Sequence, residues 1–249
     1  MNRRVIFLIM GMSFFFAACN VAYIPNRHNV PLMQEQGDAS VSISTTNLQT
    51  AYAFSDHGAL MGNLYFRQNR WNNSPDDMVT TSSTDYQSNR FLGELGLGYY
   101  KDLGEGAVFE LYGGGGLGNI GFKTIDANPI LDRKYHAKMA KVFLQPNIGF
   151  KSEYIDVVLS TRLSILSFRD VDTTNYTVSS LTTDNLIDLD QQPYFFLEPA
   201  LTMRFGYRFI NAYAQAIVAS KLNPERINYR SFGINVGIEL DLGKIIYNL

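Results

Sequence analysis

A period of two in hydrophobicity runs through most of this chain, and a strand buried on one face is the local structure that repeats every second residue. From Arg230 to Leu242 the even positions read Arg, Phe, Ile, Val, Ile, Leu, Leu, while the odd ones are Ser231, Gly233, Asn235, Gly237, Glu239 and Asp241. The stretch before it places Ile210, Ala212, Ala214, Ala216 and Val218 against Asn211, Tyr213 and Gln215. Phe195–Tyr207, Ile155–Ile165, Ala140–Phe150, Ala107–Leu117, Arg90–Tyr100 and Leu60–Gln68 alternate in the same way, preceded by the shorter Ala39–Ser44 and Leu48–Phe54. That makes ten strands. No window of comparable length fits the i, i+3, i+4, i+7 spacing of an amphipathic helix better, so helices are at most small additions.

The connections choose the architecture. Ser55-Asp56-His57-Gly58, Lys101–Gly106, Lys151–Tyr154 and Tyr207–Phe209 are short, whereas Trp71–Asn89, Lys123–His136 and Asp170–Pro193 are long and polar. Short turns alternating with long loops around strands of about 9–11 residues describe an up-and-down transmembrane β-barrel; a sandwich places its long crossovers less regularly. The expected fold is therefore all-β, an antiparallel up-and-down barrel over residues 38–249, with ten strands and with eight as the alternative, in which the short first two merge or remain partly outside the bilayer. Pro146 and Pro199 fall inside strands and predict a bulge or missing ladder bonds at each.

In such a barrel the polar face points inward. It would gather Arg90, Glu94, Glu110, Lys141, Arg162, Glu198, Arg204 and Glu239 with Tyr112, Phe143, Tyr194 and Phe196. Eight to ten strands leave room for side chains and little for a channel. Buried charges of both signs need partners, so this set reads as a packed lumen network, with a narrow ion or solute path as its functional rival. Inward Gly96, Gly98, Gly114 and Gly116 would leave space for aromatic rings from the opposite wall. Gly116-Leu117-Gly118-Asn119-Ile120-Gly121 matches a dinucleotide-binding pattern, but that chemistry needs a helix to follow, and here a strand continues.

Charge and cysteine count exclude other classes. With 21 basic and 23 acidic side chains in 249 residues the chain has no net field for nucleic acid. One cysteine supports neither a disulfide framework nor a multi-thiolate metal site, and three scattered histidines form no zinc pattern. No cofactor is expected. His136, near Asp126 and Asp132, is the one arrangement that resembles a water-activating rim site, and a solvated loop histidine explains it as well.

The N-terminus carries an address. Asn2-Arg3-Arg4 precedes an apolar run from Val5 to Phe16, about a dozen residues and too short to span as a helix. Phe16-Ala17-Ala18-Cys19 resembles the lipobox of bacterial lipoproteins, which implies residues 1–18 as signal peptide and Cys19 as the lipid-carrying first residue of the mature chain. Residues 19–37, polar with Pro25 and Pro31, read as a tether. Together with Tyr23-Ile24-Pro25, Asn29-Val30-Pro31-Leu32, the Ala51-Tyr52-Ala53-Phe54-Ser55-Asp56-His57 hairpin start and the glycine-rich strands, these features resemble small outer-membrane β-barrel lipoproteins of Bacteroidota-type bacteria. The architecture is also similar to the membrane domains of OmpA-like proteins.

That resemblance implies location and fold and carries no catalytic residue. The expectation is a non-enzymatic, lipid-anchored barrel, a structural or accessory part of a larger outer-membrane protein complex, with outer-membrane lipid as its surroundings. The lipidated N-terminus is expected on the periplasmic side and the long loops outside, where Trp71, Tyr86 and Tyr176 are candidate anchors for a protein or glycan partner. A binding or transport barrel and a rim hydrolase using His136 are the other readings.

Overall fold

The computed structural model describes residues 21–73, 84–125, 130, 132–207 and 209–243. Its strands among the described residues are β1 (Ala39–Ser44), β2 (Asn47–Ala53), β3 (Gly58–Asn73), β4 (Thr84–Gly104), β5 (Ala107–Ile125), β6 (Arg133–Phe150), β7 (Ile155–Thr174), β8 (Tyr194–Tyr207), β9 (Ile210–Val218), β10 (Ser220–Lys221) and β11 (Phe232–Asp241); a short helix, α1 (Val178–Thr183), sits between β7 and β8. From β1 to β9 each strand pairs antiparallel with the next, and β11 lies between β9 and β1, so the sheet closes on itself. β10 continues β9: Ala200 faces Ile217 and Leu197 faces Ser220 in one unbroken register. The barrel therefore has ten staves, and β1 and β2 are separate strands joined by a turn at residues 45–46.

Neither proline makes a bulge. On β6 the pairing to β7 lapses between Leu144–Leu163 and Asn147–Ser160 and resumes in the same register, so Pro146 removes a rung without inserting a residue. Pro199 sits at the equivalent gap between β8 and the β9–β10 stave. The dinucleotide-like glycines lie in the middle of β5, which runs unbroken from Ala107 to Ile125.

The strands are unequal. β3 to β7 run 16, 21, 19, 18 and 20 residues, whereas β1, β2, β9 and β11 have 6, 7, 9 and 10. Much of what reads as long loop in the sequence is ladder: Asn73 pairs with Thr84 and Asp85 with Ile125. The apolar outer face ends there because the outward side chains turn polar, while the inward ones such as Phe122 and Tyr135 stay buried and the backbone ladder continues.

Outside, the alternation delivers what the pattern implies. Leu95, Leu97 and Leu117 are exposed and Leu117 is 72% accessible, while the neighbouring inward side chains of Glu94 and Glu110 are buried. Exposed aromatics border this aliphatic band on both sides: Tyr52, Tyr99, Phe150, Tyr154 and Tyr207 near the short turns, and Phe66, Phe91, Phe195 and Phe232 toward the long connections. Along β4 Phe91 and Tyr99 are about 26 Å apart at ~3.3 Å per residue.

Candidate functional site: a lumen filled by its own N-terminal segment

The inside of the barrel is occupied by backbone. Residues 21–37 enter at the end that carries the long connections, where Ala22 N–H donates to Asn228 O at 2.8 Å and Tyr23 bridges Tyr229. They leave at the short-turn end, where Gly37 N–H donates to Ala53 O at 2.9 Å. Between these points Tyr23, Arg27, His28, Val30, Leu32 and Met33 are all at most 2% exposed. The tether expected from composition is thus the centre of the molecule. A polar segment with two prolines and no period cannot form a stave or a helix, so its backbone groups must find partners on the wall.

The wall supplies them in layers. At the short-turn end Met33 joins Ala51, Ala53, Ala59, Met61, Tyr100, Tyr112 and Phe143 in an apolar cluster, with Val30 and Leu32 packed on Val108 and Val158 beside it. At the opposite end Ala22 and Tyr23 lie among Phe122, Tyr135, Phe168, Tyr194, Phe196, Leu186 and Ile227. The inward glycines do make room for rings, but from neighbouring staves rather than the opposite wall: a Cβ on Gly98 would meet the Tyr112 ring at 2.2 Å, and one on Gly114 would meet Phe143 at 2.8 Å.

Between the apolar layers lies the charged waist, and all eight side chains expected in the lumen are buried: Arg90, Glu94, Glu110, Lys141, Arg162, Glu198, Arg204 and Glu239. They divide into separate groups, each tied to the segment. Glu94 accepts from Asn26 at 2.7 Å and Asn63 at 2.9 Å, with Arg162 at 3.3 Å and Lys141 at 3.5 Å. Lys141 donates to the Tyr23 hydroxyl at 2.7 Å and sits 3.6 Å from Glu198, to which that hydroxyl in turn donates. Arg162 donates to Gln145 at 2.6 Å, and Gln145 donates onward to Asn29 O at 2.7 Å.

A second group surrounds Glu239, with Arg204 at 3.0 Å and Arg27 at 3.3 Å. Arg204 also donates to Val30 O, while Arg27 reaches Ser42 at 2.6 Å and lies 3.3 Å over the Tyr213 ring. Glu110 stands apart from the cations and is held by donors: Met33 N–H at 3.0 Å, Asn147 at 3.0 Å and Tyr112 at 3.3 Å. Arg90 caps the upper end, donating to Val21 O and to Ser88 at 3.2 Å. Near it Arg230, in the connection before β11, is held below the ordinary guanidinium value by burial and by Arg67.

Sequence reasoning missed the contribution of Asn26, Arg27, His28 and Asn29. His28 has no exposure; its Nδ1 lies 2.8 Å from Ser160, and its backbone exchanges hydrogen bonds with Gln215. The available signal was a run of four polar side chains beside a wall with an excess of buried donors and acceptors, which only a known wall makes readable.

The other sequence candidates are dispersed. Cys19 and Asp126 lie outside the described residues. His136 faces outward on β6, opposite Asp172 of β7, and among the described residues no group of three or more His, Cys, Asp or Glu side chains is arranged to hold a metal. His57 is in the turn before β3, its carbonyl accepting from Tyr100 N–H at 3.0 Å. Tyr176 packs edge-on to Tyr135 at 6.2 Å beneath Arg133, and burial raises its phenol above the usual value. Tyr86 is half-buried on β4.

No protein-family model and no curated protein matches the chain. Among solved structures the crystal structure of CarO2 from Acinetobacter baumannii is similar over 83% of this chain and 98% of its own, at 8% identity and a TM-score of 0.33.

Proposed function

We propose that this protein is a self-plugged outer-membrane β-barrel, anchored by lipid at Cys19, that serves without catalysis as a structural or accessory component and presents the tall β3–β7 ribbons to a larger envelope assembly. The observation that carries the reading is the burial of residues 21–37 inside a closed barrel whose exterior is an aliphatic band between two aromatic girdles. Such a belt matches lipid and no soluble core, and a lumen packed, among the described residues, with side chains from both wall and segment supports a plug over an aqueous path. The tall ribbons give the protein surface area beyond the belt, which a mere membrane filler does not need.

On this reading the anchor takes a different side from the one expected from the sequence. The entry of Ala22 and Tyr23 at the end of the long connections supports an anchor at Cys19 that shares a compartment with those connections rather than lying opposite them. With the long connections outside, the lipid belongs to the outer leaflet.

The test is electrical. Wild-type protein in a planar bilayer should give no steady conductance, and a variant lacking residues 22–36 should give discrete current steps. Steady current through the wild type would replace this reading with the narrow-channel one. Intact-cell protease accessibility of a tag placed directly after Cys19 checks the shared compartment; protection of the tag while the long connections are cut would overturn it.

A further inference from the structure

The outer face of the tall ribbons holds a feature that neither the lumen nor the belt explains. Across β3 to β6, immediately above the Phe66–Phe91 pair, lies a groove of about 700 Å³. Its rims are outward side chains two residues apart on each strand, with Asn89, Gly121 and His136 below and Arg70, Lys123 and Lys134 above. The Asn89 amide lies over Gly121, its oxygen 2.1 Å from where a Cβ would stand, so the floor of the groove is polar. Lys123 and Lys134 are direct cross-strand partners on the same face, an arrangement of like charges that destabilises a sheet unless an anion lies between them. Among the described residues the acids nearby include Asp85, 2.9 Å from Arg70, Asp172, which faces His136, and Asp132, two residues before Lys134.

Directly below on the same strands, Leu64, Gly93 and Leu117 form one outward row, with the small residue flanked by two exposed leucines. A basic hollow thus stands over an apolar notch, and the aromatic girdle marks the boundary between them. A single molecule with an anionic head and acyl tails meets both; a soluble polyanion meets only the upper part.

We propose that this groove binds the phosphorylated headgroup of an outer-leaflet lipid, through Arg70, Lys123 and Lys134, with an acyl chain lying along Leu64, Gly93 and Leu117. The inference rests on the membrane reading above and adds a specific lipid site to it. Juxtamembrane cations attract anionic headgroups by roughly fivefold each, so removing three should weaken binding by about 100-fold.

The experiment uses the purified full chain in neutral detergent, native mass spectrometry, and monophosphoryl lipid A as probe. Wild-type protein should retain the probe in a salt-sensitive complex. The triple variant Arg70→Gln/Lys123→Gln/Lys134→Gln should lose it by about 100-fold, and Lys101→Gln, at the opposite end, should not. Because all three side chains project from the outer wall, heat-modifiable migration should show the variant folded. Equal retention by wild type and triple variant overturns the proposal, as does equal binding of dephosphorylated lipid A. Inorganic phosphate displacing the probe at matched concentration would mark a free-anion site and overturn the lipid assignment. A barrel that needs detergent yet fails these arms loses the lipid site alone; one that needs no detergent loses the membrane reading first.

Discussion

Two lysines three residues apart on β6 carry the same charge and lead different lives. Lys138 points outward and meets Asp170 at 2.8 Å, with both side chains about two-thirds exposed. Lys141 points inward, 3.5 Å from Glu94 and 3.6 Å from Glu198, with no more than 1% of any of the three side chains exposed. The longer contacts are the ones on which the fold depends. In water Lys138 exchanges one set of dipoles for another, and salt screens what remains. In the lumen there is no solvent to take the place of a lost partner, so each charge relies on its neighbours.

The contrast is broken most forcefully at Glu94. Glu94→Ala should destabilise the barrel by about 3–5 kcal/mol, because Arg162 and Lys141 are left buried with a partner removed and Asn26 and Asn63 lose an acceptor. Urea titration of the detergent-solubilised barrel reads this, and a shift under about 1 kcal/mol would mean that water enters the waist. Arg27→Leu comes next, at about 1.5–3 kcal/mol by the same titration: it strips Glu239 of one of its two cations and Ser42 of its donor while keeping apolar contact with Tyr213. The same variant should loosen the segment, seen as faster amide exchange at residues 26–30 than in the wild type.

Gly98→Ala tests the apolar layer below the waist. Its Cβ would fall 2.2 Å from the Tyr112 ring, so a loss of about 1–3 kcal/mol is expected, with Gly98→Ala/Tyr112→Leu recovering part of it. The smallest effect belongs to Lys138→Ala, for which the urea midpoint should not move at low or high salt. A clear drop there would show that the outward pair is structural and that the comparison on β6 has been drawn in the wrong place.

The parts of this molecule that could be read in the sequence are those where chain and solvent settle the matter locally. The Phe232–Asp241 stave, the Ile155–Ile165 core of β7 and the inward position of all eight lumen charges follow from a side chain's choice between lipid and lumen, repeated every second residue. The alternation read in the sequence stopped short of residues 69–73, 84–89, 118–125, 133–139 and 166–174, where the contrast inverts: outward side chains such as Lys134, His136 and Lys138 are polar, and inward ones such as Tyr135, Ala137 and Met139 are apolar and buried. Arg70, Lys123 and Lys134 were hidden for the same reason: as loop residues they are ordinary solvated charges, and only the register of β3, β5 and β6 sets them side by side.

The N-terminal segment marks the limit. Its contacts join Asn26 to Glu94, Arg27 to Glu239 and His28 to Gln215, separated by 68, 212 and 187 residues. A pairing at that range leaves no periodic trace in the residues that make it. The sequence by itself determined a ten-stave cylinder and which side of each stave meets oil, since a two-residue repeat is a property of each strand alone. Only the closed tertiary structure decided what fills the cylinder and from which end it enters, because a bare segment acquires its partners when the wall around it exists.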